Sequence, residues 1–185
     1  LAEKDVPDAR IEVQQAGRPS EDLAMLNPTH SLPTLTDRDT VIYPARLIAE
    51  FLEERYPHPP MMPPEAALRA RLRMVMSQLE QDWAGLITTM ESGPAAQSRN
   101  ARKQLGEHLA SSARLFPARG WFLGLEYGLV DCAWTALLWR LASLKLQMPG
   151  GTEPIRRYAE RAFARPRFAQ SLVEAQRSAV SRQTA

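Results

Sequence analysis

The stretch FLEERYPHPPMMPPEAALRARL, residues 51–72, contains five prolines and separates two parts of the chain that differ in character. The helical pattern ARLIAEFLEERY ends at Pro57, because proline lacks a backbone N–H and its ring clashes with the preceding turn. A second helical pattern begins after Pro64. We therefore predict a domain over residues 1–56, a proline-rich linker over residues 57–64 and a second domain over residues 65–185.

The composition is that of an ordinary globular protein. The 185 residues are 44% hydrophobic and 24% charged, which is enough to build a sizeable core. No apolar run approaches the roughly 20 residues that span a bilayer, and the start LAEKDVPDAR lacks the regions of a signal peptide. The single cysteine, Cys132, fits a reducing compartment. We expect a cytoplasmic protein with no membrane association.

Positive charge collects near the end of the chain, although the formal net charge is only +2. From Glu153 onward, arginines outnumber glutamates. Such a surplus could dock an acidic protein or a phosphate backbone. We interpret it as a solvated helical face, so direct nucleic-acid binding is not expected.

The residues before the prolines alternate between strand and helix patterns. Ile11 and Val13 alternate with polar residues, which predicts a half-buried strand. Ser20 is a suitable cap for a short helix over SEDLAML. LPTLTD and TVIY predict two strands joined by a tight turn at residues 37–39, and a helix follows from Pro44. The first third of the chain is therefore predicted to be α/β.

After the prolines every pattern is helical. One apolar stripe with helical spacing predicts a long helix; its members are Leu68, Leu72, Val75, Met76, Leu79, Trp83, Leu86 and Ile87. A second helix is predicted over AAQSRNARKQLGEHLASSARLF. VDCAWTALLWRLASL is apolar nearly all round, which indicates a buried helix. Two shorter helices, PIRRYAERAFA and RFAQSLVEAQRSA, follow on either side of Pro166.

Two motifs carry a resemblance to a known superfamily. NPTHSLPTLTD, residues 27–37, and YGLVDCAW, residues 127–134, resemble the glutathione S-transferase superfamily. Within it, EERYPHPPMMP and EQDWAGLI resemble the stringent starvation protein A family of bacterial RNA polymerase-associated regulators. The resemblance implies a thioredoxin-like domain followed by an all-helical domain, and a homodimer. It also places the first strand and most of the first helix before Leu1.

The resemblance assigns structural roles to three residues. Pro33 is expected to follow a cis peptide bond, which exposes the backbone of Leu32 where transferases bind the cysteinyl part of glutathione; we interpret Pro33 as scaffold. In YGLVDC, Gly128 falls at the helix N-cap and Asp131 lies three residues on. This arrangement retains only the acidic half of a capping box, which is a folding role.

The resemblance also indicates a non-enzyme. Glutathione-binding members carry an acid–hydroxyl pair at the start of the third helix, where Pro44 and Ala45 stand in this sequence. Proline has no N–H to donate and alanine has no hydroxyl, so no cofactor site is predicted. The resemblance places the activating residue of the superfamily in the first strand, before Leu1, so no catalytic residue is assigned in this sequence. No metal site is predicted either, because the three histidines lie far apart in sequence. The alternative is a glutathione-dependent transferase or peroxidase.

The histidine between two prolines is the remaining feature. On the residues alone, residues 57–59 form a helix stop and a spacer, with His58 held extended by its neighbours. The resemblance implies instead an exposed segment that contacts the transcription partner. The predicted partner-binding residues are Tyr56, Pro57, His58 and Pro59. The partner would be RNA polymerase holoenzyme with its primary sigma factor, and the function regulation of promoter use under stress or starvation.

Overall fold

The computed structural model describes residues 1–6, 9–14 and 20–172. Contacts divide the chain into two compact units, Leu1–Pro60 and Met61–Ala185. The first unit mixes helix and strand, and the second is helical over its described residues. The finer division into residues 1–56, 57–64 and 65–185 stays a prediction.

The first unit is built around one β-hairpin and two α-helices. Helix α1 is capped as predicted, because the Ser20 hydroxyl accepts a hydrogen bond of 3.2 Å from the Leu23 amide. The two predicted strands pair antiparallel across a turn in which Arg38 has a φ of 54°. The elements are a 3₁₀ turn Ala2–Lys4, α1 Glu21–Leu26, β1 Leu35–Asp37, β2 Thr40–Ile42 and α2 Ala45–Arg55.

The strand predicted around Ile11 and Val13 is wrong. Residues 9–14 are irregular, and these two side chains are 57% and 72% exposed. Alternation specifies a strand only where a neighbouring strand supplies the ladder hydrogen bonds. Among the residues that the structure describes, β1 and β2 form the only sheet, and neither pairs with this segment.

The second unit contains the predicted long helix. Five members of the apolar stripe are buried, namely Leu72, Met76, Leu79, Trp83 and Ile87. The helix is interrupted by one π-helical stretch. Its parts are α3 Ala66–Gln78, the π stretch Leu79–Ala84 and α4 Gly85–Ser92. The later elements are α5 Ala95–Ser112 with a 3₁₀ turn Ala113–Leu115, α6 Leu129–Ser143, α7 Glu153–Phe163 and α8 Pro166–Ser171.

Helix α6 is the buried helix that its sequence predicts. It begins at Gly128, whose amide donates to Asp131 Oδ2 at 2.9 Å, and the Leu129 amide donates to Met61 O at 2.9 Å. A Cβ at Gly128 would lie 3.0 Å from Met61 O. Because the two backbones approach so closely, glycine is the residue that fits this cap.

Asp131 also connects α6 to the rest of the second unit. Its Oδ1 accepts from the Phe122 amide at 2.8 Å and from the Tyr158 hydroxyl at 2.5 Å. Burial raises the pKa of Asp131 above 3.8, although the hydrogen bonds that it accepts oppose the shift. Burial and the nearby Asp131 raise the pKa of Tyr158 well above its usual range, so its hydroxyl stays protonated and donates.

The last predicted helix is described only in part. α8 ends at Ser171 with Leu172 as its C-cap, and the part of RFAQSLVEAQRSA from residue 173 on lies outside the described residues, as do Arg177 and Arg182. Within the parts of the chain that are described, no helix has the length and apolar character needed to cross a membrane.

Candidate partner-binding site

Residues 56–59, called the P-H-P segment from here on, follow directly on helix α2. The Tyr56 amide still bonds Leu52 O at 3.0 Å, but the φ and ψ of Tyr56 are no longer helical. Tyr56 is half-buried, whereas Pro57, His58 and Pro59 are exposed. The chain bends at His58 and Pro59, and the peptide bond between them is cis. That the backbone of His58 is held extended stays a prediction.

A buried lysine lies beneath this segment. Lys4 is 7% exposed, and its Nζ donates to Tyr56 O at 2.8 Å and to Pro59 O at 2.7 Å. The same ammonium forms an ion pair with Glu53 in the last turns of α2. An ammonium group has three N–H donors; two of them serve the carbonyls, and the Glu53 carboxylate lies beside the group as its counter-charge. Lys4 therefore ties both ends of the segment to the helix that precedes it.

The Tyr56 ring is positioned from the side. The Arg55 guanidinium lies 5.6 Å from the centroid of this ring, within cation–π range. Arg55 Nε is in turn 3.6 Å from Asp37 Oδ2, at the end of β1. Both charged groups are partly exposed, so the pair contributes less than about 1 kcal/mol. Its effect is to favour one orientation of the tyrosine beside the prolines.

The P-H-P segment has the chemistry of a contact surface. It presents apolar proline rings and one imidazole, which can both donate and accept hydrogen bonds. Within the described residues the His58 ring has no hydrogen-bond partner, so its nitrogens are available to another molecule. In the part of the chain that the structure describes, no serine, cysteine or carboxylate is hydrogen-bonded to this ring, as a nucleophile–base pair would require.

The Pro33 motif lies on another surface of the first unit. Buried Asn27 organises the turn before it, since its Nδ2 donates to Ser31 O at 3.0 Å and to Thr34 Oγ1 at 2.8 Å. The Leu32–Pro33 peptide bond is cis, and Leu32 is 59% exposed. Leu32 lines a groove of about 690 Å³, whose other walls include Arg10, Glu12, Ser20, Met25 and Thr36.

The N-cap and the first residue of α2 carry no polar side chain. Pro44 is its N-cap residue and follows a cis peptide bond, and Ala45 is its first residue. No side-chain hydrogen bond caps this helix end. An anion at this helix start would therefore find neither the Pro44 amide nor a hydroxyl at position 45.

The remaining histidines and the cysteine form no cluster. His108 packs edge-on against Trp83, with ring centroids 5.6 Å apart, and His30 is exposed in a turn with a φ of 52°. Cys132 is half-buried on α6 rather than fully enclosed. Over the residues described, no group of three metal-ligating side chains comes together.

The sequence reasoning missed Lys4 and Glu53. Lys4 lies 52 residues from Tyr56 and 55 from Pro59 along the chain. It contacts backbone carbonyls, which every residue carries, so no side-chain pattern could have revealed the contact. The one available signal was the proline content of residues 57–60, which leaves the local carbonyls short of amide donors.

Comparison with known proteins identifies the family. Residues 1–55 match the Glutathione S-transferase, N-terminal domain family, and residues 51–166 match the Glutathione S-transferase, C-terminal domain family. The Stringent starvation protein A homolog of Haemophilus influenzae is 43% identical over 176 residues, covering 95% of this chain and 82% of that protein. The homolog of Coxiella burnetii is 37% identical, covering 95% and 84%. The chain belongs to the stringent starvation protein A family.

Solved structures agree on the fold of this family member. A glutathione S-transferase from Rhodospirillum rubrum superposes with a TM-score of 0.80 at 22% identity, covering 94% of this chain and 84% of that one. The Tau class enzyme from mango, Mangifera indica, superposes with a TM-score of 0.78 at 22% identity, covering 100% and 89%. The predicted glutathione S-transferase-like fold class is confirmed.

Proposed function

We propose that this protein is a non-enzymatic transcription regulator that binds RNA polymerase holoenzyme carrying the primary sigma factor. It would change promoter use under stress or starvation, acting in the cytoplasm as a homodimer. The observation that carries the proposal is the exposed P-H-P segment, in a chain that belongs to the stringent starvation protein A family. The sequence resemblance implies that this segment contacts the transcription partner.

The geometry of the segment suits a protein partner. Immobilising a flexible side chain at an interface costs about 0.5–1.5 kcal/mol. Pro57 and Pro59 have no such freedom to lose, and Lys4 already holds the backbone around them. Binding would therefore retain most of the free energy gained from contact with the prolines and His58.

The start of α2 supports a role without glutathione. Pro44 and Ala45 occupy the positions where glutathione-binding members carry an acid and a hydroxyl residue. Neither can replace the hydrogen bonds of that pair, because one lacks its N–H and the other lacks a polar side chain.

The test is co-migration of the full-length protein with RNA polymerase holoenzyme on size exclusion, with and without glutathione. We compare the wild type with a triple variant, Pro57→Ala, His58→Ala and Pro59→Ala. The matched control is Pro28→Ala with His30→Asn, which changes an exposed proline and histidine elsewhere in the first unit. Asparagine tolerates the positive φ at position 30.

Wild type and control should co-migrate with the polymerase whether glutathione is present or not, and the triple variant should not. Co-migration of a folded triple variant would show that the P-H-P segment is not the contact. If the wild type does not co-migrate with the polymerase, the proposed function as a transcription regulator is rejected.

A second candidate is a glutathione-dependent transferase or peroxidase. The observation in its favour is the groove beside Pro33, which the exposed Leu32 lines. This candidate predicts that the full-length protein is retained on immobilised glutathione and eluted by free glutathione. Passage through the column without retention would count against it.

A further inference from the structure

The carbonyl groups of the P-H-P segment need donors that the local chain cannot supply. In a turn, the carbonyl of Tyr56 would accept from the amide of residue 59, and in a helix from that of residue 60. Both positions are proline and have no N–H. A half-buried carbonyl without a partner is costly, so a donor from elsewhere is required.

Lys4 supplies that donor from below. Its Nζ lies 2.8 Å from Tyr56 O and 2.7 Å from Pro59 O, and these two carbonyls bracket Pro57 and His58. The Lys4 side chain is only 4% exposed, and that of its partner Glu53 is 13% exposed. A buried ammonium needs a counter-charge, and Glu53 provides it. The ammonium, the carboxylate and the two carbonyls therefore form one buried polar cluster under an exposed surface.

We propose that Lys4 and Glu53 are positioning residues that hold the P-H-P segment in its binding shape. The inference rests on the proposed function, because it concerns the surface assigned there to RNA polymerase. Neither residue touches the partner: Lys4 acts on the two carbonyls, and Glu53 is the counter-charge that holds Lys4 in place. Without the pair, the segment samples several bends, and only part of the population can bind.

The expected loss of affinity follows from that fraction. If the released segment adopts the binding shape about a tenth of the time, the apparent dissociation constant rises about tenfold. The variant that tests this is Lys4→Met with Glu53→Gln, which removes both charges of this ion pair together. The matched control is Lys103→Met, because the Lys103 side chain is 77% exposed and pairs with Glu107 on the surface of α5.

Two readouts separate positioning from general destabilisation. The first is the affinity of each full-length variant for RNA polymerase holoenzyme. The second is the NMR signal of the His58 ring in protein labelled at histidine. The chain has three histidines, so His30 and His108 serve as internal references. A loss of stability alone would not move the His58 signal of the folded protein.

We expect the double variant to bind about tenfold more weakly, with the His58 signal shifted and the other two unchanged. An unshifted His58 signal, or wild-type affinity in the double variant, would overturn the inference and leave the proposed function standing. Failure of the wild type to bind would reject the proposed function instead; the His58 signal then decides the positioning role alone. If the double variant does not fold, Lys4→Gln, whose shorter side chain cannot reach both carbonyls, decides it by the same readouts.

Discussion

Two loops of this molecule are each organised by one buried charged side chain, and the charges are opposite. In the first unit, the Lys4 ammonium gathers the carbonyls of Tyr56 and Pro59. In the second, the Asp131 carboxylate gathers the amides of Phe122 and Gly128. Lys4 serves a segment whose prolines lack donors, whereas Asp131 serves a helix start whose amides lack acceptors.

The two loops differ in what they cover. The loop held by Asp131 packs into an aromatic cluster, where the Phe116 ring lies 5.0 Å from Tyr158 and 4.8 Å from Trp134. The segment held by Lys4 presents Pro57 and His58 to solvent. A buried charged side chain therefore contributes to stability in one unit and holds the shape of a surface in the other. Substitution of Asp131 should mainly lower the free energy of unfolding, and substitution of Lys4 should also change the P-H-P segment.

The largest effect on stability is expected at Asp131. Asp131→Ala leaves the amides of Phe122 and Gly128 and the hydroxyl of Tyr158 without their acceptor, which should cost about 4 kcal/mol of unfolding free energy. Urea unfolding followed by tryptophan fluorescence measures it. Asp82→Ala, a change at an exposed position, is the control and should alter the value by less than about 0.5 kcal/mol. A loss below about 1 kcal/mol at Asp131 would show that the loop is held by its aromatic packing alone.

A smaller effect is expected at Lys4, with a pattern that identifies the ion pair. Lys4→Met alone removes the counter-charge that the Lys4 ammonium gives the buried Glu53 carboxylate in the wild type, and should cost about 3 kcal/mol. Adding Glu53→Gln should restore at least half of that loss, since no charge then remains buried. The same urea titration measures both variants. Additive losses in the double variant would contradict the coupling of the two residues.

The smallest effect is a dependence on pH. The folded-state pKa of Asp131 is raised above 3.8 by burial, so its protonation adds stability below that value. This contribution is lost as pH rises through the raised folded-state pKa. The unfolding free energy of the wild type minus that of Asp131→Asn should therefore fall as the pH rises from 3.8 through the raised folded-state pKa of Asp131. Above that pKa the difference should stay constant. A difference that rises with pH would mean that the hydrogen bonds outweigh burial.

The sequence predicted elements whose signals are local. The stripe of Leu72, Met76 and Trp83 has helical spacing, and burial of one face is what that spacing reports. The Ser20 cap needs only a partner three residues away. What Pro44 and Ala45 lack, an N–H and a hydroxyl, also follows from residue chemistry, once the resemblance says which positions to compare.

The sequence could not predict contacts that depend on distant backbone. Ile11 and Val13 alternate with polar residues, but a β-strand forms only beside a neighbouring strand. The alternation does not show whether such a strand is present. Lys4 donates to carbonyls 52 and 55 residues away, and Asp131 accepts a hydrogen bond from the Tyr158 hydroxyl 27 residues away. Such partners are fixed by the fold and leave no local pattern. The P-H-P segment could be picked out from the sequence, but the residue that holds it could not.

The most direct test of the proposed function is a binding titration of RNA polymerase holoenzyme with full-length protein. The wild type, the triple variant at Pro57, His58 and Pro59, and the control at Pro28 and His30 are compared at one salt concentration. We predict that the dissociation constant of the triple variant rises at least about a hundredfold, as expected for a contact hot spot, and that of the control does not change. A folded triple variant with wild-type affinity would contradict the assignment of the P-H-P segment as the contact surface.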